Sequence, residues 1–345
     1  MTLAQALLDQ AGHCAALDSP FMARMLPMLA EVWPVGSLLD TAVQRFDGDI
    51  GPKGHSLPLR LASGLHALVL TGQDAGLMAT YPPNVATDAD LASALSGALA
   101  AHEAFLIDWI TSAPQTNEVR RSSVLIAGTH RLVHHTGITQ VHLSELGASA
   151  GLNLMFDRYA LTVGATRLGP EDAALTLAPD WTGPEPLCAP FTVTGRRGVD
   201  LNPLDPHLPD HALRLRAYLW ADQDHRLALT DAAIACCTAD VDRGDAIDWL
   251  TNRLSSAPAG QLHLIFHTVA WQYFPPEQQV KGTALIEAAG ARATQNSPLA
   301  WLRMEADTET RGASVTARLW PGDHHITLGR ADFHGRWVDW ADVPN

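Results

Sequence analysis

The sequence predicts an α/β protein: a mostly parallel sheet with an antiparallel C-terminal edge, preceded by an all-α region. Three observations carry that expectation. The first 136 residues read as helix after helix, without strand-like alternation. Between 138 and about 290, short β-prone runs alternate with helical patterns, as expected of a parallel sheet covered by helices. Beyond 290, three β-prone runs follow one another with no helix between them, which calls for antiparallel pairing.

In the helical part, Ser19-Pro20 has the form of an N-cap with proline at the first helical position. It opens a helix over Phe21 to Trp33, whose apolar residues fall mostly on one face. Pro58 to Leu70 and Asp88 to Ile110 continue the pattern, the latter stopped by Pro114. Asn117 to His135 is the last helix, ending at Gly137 as a C-cap. Then come a short strand, Ile138 to Leu146, and a helix-like stretch, Asn153 to Tyr159. Leu161 to Val163 and Leu175 to Leu177 suggest a small antiparallel hairpin, and Phe191 to Thr194 and Val199 to Leu201 are strand-like. His211 to Trp220 reads as helix, Ala233 to Thr238 as strand, Ala246 to Leu254 as helix and Leu262 to Val269 as a strongly apolar strand. Pro275-Pro276 opens a helix that stops at Gly290. Leu299 to Met304, Ser314 to Trp320 and Ile326 to Phe333 are the closing strands. The expected division is a helical cap or substrate domain over 1–136 and a sheet domain over 137–345, with a hairpin insertion near 160–190.

The chain has 345 residues, and its 37 acidic against 23 basic residues give a formal net charge of −14. General affinity for nucleic acid or an anionic membrane is not expected of such a balance. No apolar run reaches the roughly 18 residues of a membrane span, and the N-terminus reads as a helix start without a basic signal-peptide region. None of Cys14, Cys188, Cys236 and Cys237 forms a CxxC pair, so neither a zinc site nor a disulfide framework is indicated, and a cytoplasmic location fits. A small-molecule substrate is the expected partner.

The sharpest motif is Glu145-Leu146-Gly147-Ala148-Ser149-Ala150-Gly151, between a strand and a helix. A glycine-rich turn there lets backbone approach a ligand closely; it can equally be a packing corner. A carboxylate two positions before the first glycine disfavours a pyrophosphate and suits a cationic or neutral ligand. Gly198-Val199-Asp200 places an acid at the next strand end, where a carboxylate can take both ribose hydroxyls or simply cap a turn. Its distance from the glycine turn far exceeds the roughly 20 residues of the standard spacing, so an insertion must intervene. Asp245-Ala246 can meet an adenine or serve as an N-cap. His267, Trp271, Gln272 and Tyr273 follow an apolar strand and are placed to line a pocket, with a buried structural histidine as the plain alternative for His267. Asn117 and Glu118 fall at a helix start, as cap residues or as a polar lid. His324 and His325 are adjacent on a strand and point to opposite faces, which speaks against a shared metal ion. No serine or cysteine stands in a nucleophile-elbow context.

In order, EXGXXXG, GVD, GDA and a strand ending at His267 resemble the class I S-adenosylmethionine-dependent methyltransferases, over roughly 138–335. The resemblance implies a Rossmann-like methyltransferase fold with S-adenosylmethionine as cofactor. Glu145, Gly147, Ala148 and Gly151 would meet its methionine end, Asp200 its ribose, and Asp245 with Ala246 its adenine, with His267 also in the lining. On this reading His267, then Glu118, is the candidate general base, and Asn117, Trp271, Gln272 and Tyr273 lie on the substrate side. A non-catalytic adenosyl-ligand sensor or pseudoenzyme subunit is the alternative. The sequence departs from that family in lacking the helix after Leu299 to Met304 and an Asp/Asn-Pro-Pro-Tyr run. The strings PQTNEV, ELGASAGLN, RRGVDLNPLD, DRGDAIDWL, FHTVAWQY, LAWLRMEAD and DFHGRWVDW are similar, across nearly the whole chain, to a bacterial family known as domain of unknown function 2332.

Overall fold

Side-chain caps set most helix starts in the first third of the chain. Thr2, Ser37, Asp74 and Thr87 each accept a hydrogen bond from an amide three residues on, and Ser19 does so ahead of Pro20. The computed structural model describes residues 1–52, 54–309 and 311–342. Its helices are α1 Leu3–Ala16, α2 Pro20–Glu31, α3 Leu38–Val43, α4 Leu57–Leu70, α5 Ala75–Thr80, α6 Asp88–Ala101, α7 Glu103–Trp109, α8 Ser122–Thr136, α9 Pro209–Ala217, α10 Asp224–Cys236, α11 Ala246–Arg253 and α12 Pro276–Gly290. Its strands are β1 Gln140–Leu146, β2 Tyr159–Val163, β3 Thr166–Leu168, β4 Leu175–Leu177, β5 Asp180–Thr182, β6 Thr192–Asp200, β7 Val241–Arg243, β8 Leu262–Thr268, β9 Leu299–Glu305, β10 Ala313–Trp320, β11 His324–Ala331 and β12 Trp337–Trp340.

The chain folds as two compact units, each made of two segments. The first comprises Met1–Thr116 and His207–Ala228. Its core gathers Leu7, Met25, Leu29, Leu61, Leu95 and Leu106 around Trp220 from the second segment. The second unit comprises Asn117–Pro206 and Leu229–Asn345. This corrects the expected cut at 136/137: α8 belongs with the sheet. The reason is its burial, which leaves only its C-terminal end in water. A Cβ at its Gly128 would lie 3.0 Å from Leu302 and 3.5 Å from Leu328, so the missing side chain lets α8 lie close on β9 and β11.

The large sheet of the second unit runs β5-β12-β11-β10-β9-β8-β1-β6-β7. From β7 through β9 the neighbours are parallel; β9 to β12 are antiparallel, and β5 joins β12 in parallel. The expected parallel sheet with an antiparallel edge is therefore present. Its faces follow from alternation. Ile265, Trp301 and Trp320 share one core with Ile247 and Leu250 of α11 and Ile286 of α12, whereas Leu302, one residue on, faces α8. With both faces covered, β8 is buried at every position.

Several local expectations change. Ala233 to Thr238 is not a strand: all but its last two residues end α10, in keeping with the helix preference of an alanine-rich run, and the third parallel strand is β7. Asp88 to Ile110 is broken at His102, whose backbone leaves the helical region. The two runs expected at Phe191 to Thr194 and Val199 to Leu201 merge into one strand, β6, while Asn153 to Tyr159 becomes a 3-10 helix, Leu152–Arg158. The hairpin near 160–190 pairs differently. Gly164, at φ +55°, lets a two-residue turn join β2 to β3 antiparallel, and β4 adds to β2 in parallel. Strands β5 and β12 have no counterpart among the expected elements.

Gly290 tests how closely α12 is seated. A Cβ there would come within 2.4 Å of the buried Trp320 ring. Gly290→Ala is expected to lower stability by about 1–3 kcal/mol through overpacking, read as a shifted urea midpoint with unchanged slope. An unshifted midpoint would mean that the helix gives way freely.

Candidate functional site at the carboxyl ends of the parallel strands

Strand order reverses between β1 and β8, and in open α/β sheets a ligand crevice lies beyond the carboxyl ends at that point. The glycine turn leaves β1 there. Gly147, Ser149 and Gly151 have φ of +70°, +52° and +75°. The turn's amides are spent inside the protein. Those of Gly147 and Ala148 donate to Val199 O at 2.9 and 3.0 Å, and that of Gly151 to Ala148 O at 2.8 Å. The Ser149 amide donates to Asp200 Oδ2 at 2.9 Å. Those of Ala150 and Leu152 both donate to Asn117 Oδ1, at 3.2 and 2.9 Å. A phosphate would find these donors already engaged.

Beneath the turn lies Glu145, 2% exposed, whose Oε2 has no hydrogen-bond partner among the described residues. Burial, and then the charge of Asp200, push its carboxyl well above the usual carboxylate range, while Arg121 pulls the other way. Arg121 in turn ties the neighbourhood together: Nη1 donates to Thr268 O and Nε to Phe333 O, both at 2.8 Å. Asp200 also accepts from the Asn202 amide at 2.8 Å. Asp245 acts as the N-cap of α11, its Oδ1 taking the amides of Ile247 and Asp248 at 2.8 and 3.0 Å. Ala246 behind it is buried in the core.

The β8 exit forms the other wall. His267 is 0% exposed. Its Nε2 accepts from the Trp301 indole at 3.0 Å, so Nδ1 carries the proton and donates to Glu305 Oε1 at 2.6 Å. His267 was expected as general base; in this geometry both of its ring nitrogens are engaged by protein groups. Trp271 stacks on that ring at 5.0 Å and 15° and meets Trp301 edge-on, so its ring packs inward. Gln272 is exposed, and its Oε1 accepts from the amide of Ala306, just past β9, at 3.1 Å. Tyr273 is 67% exposed. Glu118, the second base candidate, is buried and paired with Arg120 at 3.2 Å.

The structure thus gathers Asn117, Glu145, Gly147, Ala148, Gly151 and Asp200 about one turn, and His267, Trp271 and Gln272 about Glu305. The two groups meet where Gly147 faces Ala270: a Cβ on the glycine would lie 2.6 Å from that of Ala270. Asp245 and Ala246 stand apart, after the edge strand β7. Sequence reasoning missed Glu305, and it grouped Arg121 with Asn117 and Glu118 at the helix start without giving it a role of its own. An acid at a strand end, the signal that drew attention to Asp200, also marks Glu305.

With the geometry described, comparison with known proteins gives a family. The model of "Uncharacterized protein conserved in bacteria (DUF2332)" matches residues 4–340, and the chain belongs to that family. No curated protein matches it significantly. A solved structure titled "Crystal Structure of SCL7 in Oryza sativa" is similar at 12% identity with a TM-score of 0.24. The match covers 72% of this chain and 65% of that one, so this chain spans less than two thirds of its length. A likeness at that level carries no argument about fold or function. Among the described residues, no helix is long and apolar enough to cross a membrane.

Two outcomes follow for the turn. Asn117→Ala leaves two amides without their acceptor and should cost about 1–2 kcal/mol in denaturant unfolding; no loss would mean that water replaces the side chain. Glu145 has a raised carboxyl in the folded state. Its stabilising effect is therefore complete below the unfolded carboxylate range and is lost as pH rises from there towards the folded value. Glu145→Gln should flatten that decline and raise the melting temperature relative to wild type at neutral pH. Parallel pH–stability curves for the two proteins would remove the buried carboxyl from the account.

Proposed function

We propose that the second unit binds S-adenosylmethionine at the carboxyl ends of its parallel strands, in a Rossmann-like methyltransferase fold, and transfers the methyl group to a small molecule. The observation that carries this reading is Glu145: a buried carboxyl oxygen without a partner, under a glycine turn, asks for a ligand group that donates hydrogen bonds and carries positive charge. The ligand's ammonium group fits that need. Its lack of phosphate also fits a turn whose amides are engaged. Asp200 has used two of a carboxylate's roughly four acceptor sites, which leaves capacity for ribose hydroxyls. Asp245 caps α11 through Oδ1, leaving Oδ2 as an acceptor for an adenine amino group.

The cofactor would supply an electrophilic methyl carbon on a sulfonium. The part of the chain's own residues is binding, alignment and exclusion of water. Tyr273, exposed at the β8 exit, is an aromatic side chain placed to meet an acceptor. One observation favours the second reading, an adenosyl-ligand sensor or pseudoenzyme subunit: both side chains expected to take a proton, His267 and Glu118, are engaged elsewhere.

Calorimetry with S-adenosylmethionine and S-adenosylhomocysteine tests binding, and a mass-shift screen of a metabolite extract tests turnover. Binding should raise the melting temperature by mass action, worth about 2.7 kcal/mol at a ligand concentration of roughly a hundred times Kd. Glu145→Gln should weaken affinity roughly ten- to hundredfold through loss of a charge-assisted hydrogen bond. No heat and no thermal shift in wild type would sink the cofactor assignment. Binding without any methylated product would select the sensor.

A further inference from the structure

The chain leaves β8 through Val269, a β-branched residue at φ +55°. That conformation is costly for such a side chain and persists only where the surroundings impose it. What imposes it here comes from the end of β9. Glu305 Oε1 accepts from the amides of Ala270 and Trp271 at 2.9 and 3.1 Å, and Oε2 from that of Gln272 at 3.3 Å. The same Oε1 accepts the His267 Nδ1 proton. Three successive amides thus converge as they do around a bound anion, and the protein fills the place with its own carboxylate. Burial alone would raise that carboxyl; the His267 hydrogen bond and the loop amides outweigh burial and hold it below the usual range.

We propose that Glu305 is the positioning residue of the site: its carboxylate fixes the backbone of 270–272 and the tautomer of His267, and so sets the face that the β8 exit turns towards Gly147. The clamp stands on the hydrogen bonds alone; its effect on a ligand rests on the function proposed above. Trp301 has a different part. Its indole N–H can only donate, so it decides which nitrogen of His267 faces Glu305. The amides, however, depend on the carboxylate and not on the indole.

The test is hydrogen exchange read by mass spectrometry on Glu305→Gln. Whichever way its amide is turned, the NH₂ confronts a donor that the carboxylate now accepts: the Gln272 N–H, or the three groups that meet Oε1. Exchange at 270–272 should become roughly ten- to hundredfold faster while 262–268 stays protected. Trp301→Phe should leave 270–272 protected. If Glu305→Gln does not fold, Glu305→Asp keeps the charge but shortens the reach, and the same local acceleration is expected. Unchanged exchange at 270–272, or equal acceleration of 262–268, overturns the clamp. Affinity for S-adenosylhomocysteine should fall with the exchange protection. Unchanged affinity in a clamp-deficient variant overturns the positioning role. If wild type does not bind that ligand, the function proposal fails by itself, and the exchange result still decides the clamp.

Discussion

A side chain at position 147 would have to share space with Ala270, since the two Cβ atoms would be 2.6 Å apart, and φ there is +70°. Only glycine meets both conditions without strain. Much of the site depends on that approach of two backbones. It brings the exit of β1 against the exit of β8, where Arg121 links Thr268 to Phe333 and contributes a charge that Glu145 feels. Were the approach looser, water could reach the Glu145 carboxyl, and the site's main electrostatic feature would fade.

Carboxylates at strand ends recur around this crevice, and each has an internal task. Asp200 accepts from the glycine turn, Asp245 caps a helix and Glu305 holds the β8 exit. Glu145 differs in having an oxygen with nothing among the described residues to accept from. A protein with 37 acidic residues against 23 basic ones does not lack carboxylates. On the function proposed above, what would mark a ligand-facing one is its unmet hydrogen-bonding capacity, more than its charge.

The same contrast explains what could be read in the sequence. The glycine turn, the parallel strands around it and the acids at positions 200 and 245 were legible because each is a local pattern: a β-prone run, a turn residue, a helix start. The plain N-cap reading of Asp245 was legible for the same reason. The engagement of His267 was not, because Trp301 and Glu305 reach it from a strand more than thirty residues on. Nor was the task of Asn117, which looked like a helix cap but accepts from a turn over thirty residues downstream. Alanine-rich Ala233 to Thr238 misled because a short apolar run has no periodicity to separate strand from helix.

The segment 207–228 sits in the middle of the chain, yet its Trp220 and Ala221 complete the core of the first unit. Synthesis runs from the N-terminus. The first 116 residues therefore emerge from the ribosome without part of their own interior. They must wait while β1, the small β2–β4 sheet and β6 are made. During that interval the growing chain carries two unfinished apolar surfaces at once. The order in which the units close is thus imposed by connectivity, and the helical unit, although first in sequence, cannot be first to finish before residue 221 has appeared.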